Sequence, residues 1–169
     1  MAYTYSKIAR YDIGSGGVPD VYFLNIPQNY TDLIIKVSMR AITGGGINSN
    51  VQFSFNNSTA AVSLVELAGT GTAASSSRLT QNRIGYFSGS GSTSNAFGSG
   101  EIYIPNYTGN SLKTSIGIGV SESNDAGTFI STLSNISNIL DPIKIIRVFS
   151  ANNLAQYSSI SLYGIRSEV

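Results

Sequence analysis

The stretch Leu33-Ile34-Ile35-Lys36-Val37-Ser38-Met39-Arg40-Ala41 decides the fold class. Leu33, Ile35, Val37, Met39 and Ala41 recur at every second position with Lys36, Ser38 and Arg40 between them. A period of two puts one set of side chains on a buried face and the other in water, which is a strand and not a helix. Outward from this run the same alternation returns. Val51, Phe53 and Phe55 alternate with Gln52 and Ser54; Leu112, Thr114, Ile116, Ile118 and Val120 with Lys113, Ser115, Gly117 and Gly119; Ile160 and Leu162 with Ser159, Ser161 and Tyr163. Further strand candidates are 3–11, 20–26, 62–67, 83–87, 101–104, 128–133 and 143–149.

Turn-forming clusters separate these runs, among them Gly14-Ser15-Gly16-Gly17, Thr43-Gly44-Gly45-Gly46, Asn56-Asn57-Ser58 and Ala151-Asn152-Asn153. Such residues tolerate positive φ or bond their own backbone. Only 131–141, with Leu133, Ile136, Ile139 and Leu140, spaces its apolar residues as a helix would, and Asp141-Pro142 closes it. The expected fold is all-β: one two-sheet antiparallel sandwich spanning 1–169, a jelly roll of about eight principal strands with at most one short helical turn. Residues 1–17, with Tyr3, Tyr5, Ile8 and Tyr11 ahead of the glycines, read as an extended N-terminal arm.

Composition excludes more chemistry than it offers. The 169 residues contain 27 Ser, 12 Thr, 15 Asn and 18 Gly, and no Cys, His or Trp. Disulfides, thiol nucleophiles, imidazole acid-base work and zinc sites built on His or Cys are therefore not available. Ten Lys and Arg face nine Asp and Glu, scattered along the chain, so there is no basic stripe for nucleic acid and no polybasic segment for a membrane. No apolar run of 18 residues exists, and MAYTYSKIARY lacks the apolar block of a secretory signal, so neither membrane insertion nor export is expected. Charged residues make up 11% of the chain, against roughly 25% in an average soluble domain. So little charge gives weak protection against association and favours life in an assembly.

No catalytic constellation is legible. A serine nucleophile would need a lysine base, yet no Ser-x-x-Lys and no nucleophile elbow occurs. Of the nine carboxylates only Glu122 and Asp125 stand close in sequence, in an oxygen-rich turn that would take Ca²⁺ only with help from a neighbouring loop. No cofactor and no enzymatic activity are expected. The contact candidates are aromatic residues near flexible segments: Tyr3, Tyr5, Tyr30, Tyr86, Phe87, Phe97 and Tyr107. Phe97 lies in the Gly/Ser segment 88–100, which reads either as a loop folding Phe97 back onto the sandwich or as a contact loop ordered against a partner. Tyr30 and Tyr107 lie in an internal echo, Ile26-Pro27-Gln28-Asn29-Tyr30-Thr31 and Ile104-Pro105-Asn106-Tyr107-Thr108. These are either two similar corners at strand ends or two exposed rings offered to sugars.

Met-Ala-Tyr-Thr-Tyr-Ser-Lys-Ile-Ala at the start, Asn25 to Leu33, Glu101 to Thr108 and Gln156 to Ile165 together resemble small accessory structural proteins of tailed bacteriophages. The resemblance implies a β-sandwich or jelly-roll module on the virion, made in the host cytoplasm, with no enzymatic role. It implies either a capsid decoration or cement protein, commonly a homotrimer bound to the major capsid protein, or a tail, fibre or receptor-binding module that touches tail proteins or host glycans.

Overall fold

The computed structural model describes residues 3–122 and 128–167. Their regular structure is entirely strand: β1 (Tyr3–Asp12), β2 (Val18–Phe23), β3 (Asp32–Met39), β4 (Asn48–Phe55), β5 (Ala61–Gly69), β6 (Ala74–Leu79), β7 (Arg83–Ser88), β8 (Gly98–Ile104), β9 (Lys113–Glu122), β10 (Thr128–Ser137), β11 (Ile146–Leu154) and β12 (Ser159–Ser167). An eight-stranded sheet runs β1-β12-β3-β8-β9-β10-β5-β6 and a four-stranded sheet runs β2-β11-β4-β7, with neighbours antiparallel. Without the pairs β5-β6 and β9-β10, eight strands remain. Numbered afresh in chain order, they read 1-8-3-6 in one sheet and 2-7-4-5 in the other, the strand order of a jelly roll. The two extra pairs add side by side beyond β8 and lengthen one sheet by four strands.

The core lies inside the jelly-roll frame. Leu33, Ile35, Val37 and Met39 of β3, the residues that alternate in the opening run, face Phe53 and Phe55 of β4 and Ile146 and Val148 of β11. Phe53 and Phe55 also touch each other, with ring centroids 5.0 Å apart. Each side chain of this size stabilises the fold by about 1.5–3 kcal/mol when fully buried, so the frame rests on these strands and not on the serine-rich surface.

Two expectations change, and one choice left open is decided. Residues 131–137, spaced as a helix would be, belong to β10, where hydrogen-bonded neighbours on both sides outweigh the spacing. Residues 3–12 form strand β1, as the strand candidate 3–11 predicts, paired with β12 from Tyr3 to Asp12 with a bulge between Lys7 and Ala9, and so do not stand off as an arm. The Gly/Ser segment is held in place. The Arg40 guanidinium donates to the Ser92 hydroxyl (3.0 Å) and to the carbonyls of Thr93 (2.7 Å), Ala96 (3.0 Å), Ser90 (3.3 Å) and Ser92 (3.1 Å). Gly89 and Gly91 donate to the carbonyls of Ile47 and Gly46, a backbone approach that leaves no room for a Cβ. Phe97 is half-buried in a small hollow beside Arg40 and Tyr157, the fold-back reading of this segment.

Candidate interaction surface

In β9 the expected alternation is inverted. Ile116 and Ile118 are exposed and Val120 is half-exposed, while Lys113, Ser115, Gly117, Gly119 and Ser121 face inward and are buried. The cause is steric. A Cβ built on Gly117 would stand 2.8 Å from the Ile84 carbonyl oxygen of β7, and one on Gly119 would stand 3.1 Å from the Gly85 Cα. Here the two sheets meet backbone to backbone, so nothing larger than hydrogen fits between them and the branched side chains occupy the outer face.

Strand register extends that outer face into level rows. The first holds Arg78, Val65, Ser134, Ile116 and Tyr103, taken from β6, β5, β10, β9 and β8. The second holds Ser76, Leu67, Thr132, Ile118 and Glu101. In the third, Ile130 stands between Gly69 and Val120. Leu67 is 59% exposed and Ile116 56%, and Val65, Ile118 and Ile130 are exposed beside them. Together they form an apolar patch on the order of 500 Å², near the largest that monomeric soluble proteins expose. Glu101 and Lys36 of β3 form an ion pair (3.3 Å) at one border of the patch, and Arg78 stands at the other, its Nε donating to the Ser63 hydroxyl (3.1 Å). A shallow groove of about 520 Å³ runs past Leu67, Ile130 and Thr132 to the edge strand β6.

Beneath the patch lies a polar layer. Glu66 of β5 and Arg83 of β7 form a buried ion pair (3.5 Å), and Arg83 also donates to the Tyr86 hydroxyl (3.0 Å) and to Gln81 (3.0 Å). Asn135 bonds both backbone groups of Arg83, stitching β10 to β7 across the sandwich. Burial pushes the Glu66 carboxyl above its ordinary range; the guanidinium and the Ser77 hydroxyl oppose that shift without cancelling it. At the end of the sandwich, the Lys113 ammonium donates to the carbonyls of Gly109, Ser111 (2.9 Å) and Leu140 (3.1 Å). Burial depresses its pKa, against the opposing attraction of Asp141. Tyr107 donates to the Pro27 carbonyl, so the two echoed corners touch, and burial raises its phenol pKa.

The aromatic contact candidates scatter. Phe87 and Tyr107 are core residues, 1% and 0% exposed, and are corrected here: they cannot meet a partner or a sugar. Tyr30 is half-buried, lying against Gly164 with the Arg166 guanidinium 5.1 Å from its ring centre. Tyr86 is half-buried edge-on to Phe129. Tyr5 is exposed on the edge strand β1, at the end of the eight-stranded sheet opposite β6. The backbone of Tyr3 pairs with Ser167 on that same edge. The Glu122 carboxylate accepts from the Thr93 amide (3.1 Å) and hydroxyl (2.8 Å), and Asp125 lies outside the described residues. Among the described residues no three His, Cys, Asp or Glu gather as metal ligands. The patch itself escaped sequence reading, although Gly117 and Gly119 at alternate positions of one strand signalled a close backbone approach. In comparisons with known proteins, no family model, no curated protein and no solved structure matches the chain.

Proposed function

We propose that this chain is a non-enzymatic structural protein of a tailed-bacteriophage virion, a capsid decoration or cement protein that stabilises the shell through protein-protein contacts. The carrying observation is the row of Ile116 and Ile118 turned to solvent above a glycine-lined inner face. Exposed branched side chains on a rigid sheet are a cost to a free monomer and an asset to a contact surface. The virion assignment is drawn from the resemblance of the N-terminal, corner and C-terminal segments to phage accessory proteins. Partners on this reading are the major capsid protein and other copies of the chain, for which the resemblance implies trimers. The alternative, a tail or fibre module recognising host glycans, has less support, because it drew on exposed rings at Tyr30 and Tyr107, and Tyr107 is buried.

Copy number tests the proposal. Quantitative mass spectrometry of purified virions is expected to find hundreds of copies per particle, and particles lacking the protein are expected to break at lower temperature or milder osmotic shock. A handful of copies per virion refutes the cement reading.

A further inference from the structure

We infer that the outer face of β6, β5, β10, β9 and β8 is an isologous interface whose occupant is the same face of a second copy. This rests on the reading of that face as a contact surface and adds its partner and symmetry, a two-fold pair in place of the three-fold association that the resemblance implies. Consider a two-fold axis along β10, midway between two facing sheets. It lays β10 on itself, β5 on the second copy's β9 and β6 on its β8, keeping each row level. Apolar then meets apolar: Val65 faces Ile116 and Leu67 faces Ile118, twice over, while Ile130 packs near its own copy at the axis.

The charges match as well. Arg78 on β6 comes over the second copy's Tyr103 on β8, with Glu101 two residues along the strand, within reach of a guanidinium on its long stem. The same operation repeats the contact at the opposite border. There the guanidinium joins an existing pair, since the Lys36 ammonium of β3 stands 3.3 Å from the Glu101 carboxylate on the side away from β9. A second copy is thus complementary in both hydrophobicity and charge.

The area is sufficient. Five strands about 4.8 Å apart and seven residues at about 3.4 Å each make a plane roughly 24 Å on a side, whose corrugated surface is on the order of 800 Å². That is about the contribution of each partner to a standard stable interface. Two such sheets stack about 10 Å apart with strands nearly aligned, as the two layers of a sandwich do.

The full chain tests this directly. Sedimentation velocity across a concentration series is expected to show a reversible dimer. Ile116→Lys and, independently, Leu67→Lys are expected to raise the dimer dissociation constant about tenfold or more, since each buries an unpaired ammonium. Both sites are exposed in the monomer, so at a concentration below the parent's dimer dissociation constant the urea midpoints of the two variants should match that of the parent. The chain has no cysteine, which permits single-site cross-linking. Thr132→Cys, at the axis, is expected to give a covalent dimer with a short bismaleimide, and Tyr157→Cys, in the exposed turn before β12, is not.

A monomer at every concentration, a trimer, or equal cross-linking at both positions overturns the inference. Hundreds of copies on the virion with a monomer in solution would overturn the pairing and keep the cement reading. A two-fold dimer absent from virions would do the reverse.

Discussion

Replacing Gly117 with alanine probes the backbone contact that turns β9 inside out. The added methyl would lie 2.8 Å from the Ile84 carbonyl oxygen, whereas carbon-oxygen contacts between strands settle near 3.3–3.6 Å. Either β7 or β9 must therefore give way by about half an ångström. The obstructing atom is backbone, and Ile84 is fully buried, so no side chain can rotate aside. Overpacking of this kind costs about 1–3 kcal/mol. Against it stands the gain from alanine's stiffer unfolded chain, about 0.4–1 kcal/mol. The clash wins, for a net loss of about 1–2 kcal/mol, or a fall of roughly 0.5–1 M in the urea midpoint at unchanged slope. Gly14→Ala, where a Cβ would meet nothing within 4 Å, is the control: with only the unfolded-chain gain acting, its midpoint should hold or rise slightly. A Gly117→Ala variant as stable as the parent would refute the claim that the two sheets touch here.

Three other outcomes are expected. Glu66 in the fold titrates above its ordinary value of 4.5, so the folded state holds the proton longer; the contribution of Glu66 is fully present below 4.5 and declines as pH rises through the raised folded value. Glu66→Gln should lack that decline when stability is measured across the acid range, and parallel pH profiles for parent and variant would contradict the shift. Arg40→Met removes five hydrogen bonds to segment 90–96 and should raise amide hydrogen exchange there by about tenfold or more, with the core strands unaffected; unchanged exchange would mean the clamp is idle. Tyr107→Phe leaves the Pro27 carbonyl without its donor and should cost about 1–2 kcal/mol by urea unfolding, with no loss meaning that water replaces the phenol freely.

What could be read from the residues was what a single strand can show. The alternation from Leu33 to Met39 gave β3 and its buried face, because both neighbours of that strand belong to the jelly-roll frame and one side of it packs on the core. Strand β6, Ala-Ser-Ser-Ser-Arg-Leu, has no such period because, on the sheet edge, five of its six residues are exposed. The orientation of β9 depended on what lay opposite it, and only the approach of Gly85 and Ile84 decides that the isoleucines point out. Aromatic residues near loops were a poor guide to contacts, since Phe87 closes over Gly100 and Tyr107 bridges two corners from inside.

The strand order also constrains how the chain is made. Strand β5 pairs with β10, which leaves the ribosome about 70 residues later, after much of the frame has been synthesised. Until then the hairpin β5-β6 has a companion on one side only, with Val65 and Leu67 unshielded and its outer backbone groups open to neighbouring nascent chains. Crowded polysomes, where such chains are most concentrated, are therefore the condition in which misassembly through this hairpin should be sought.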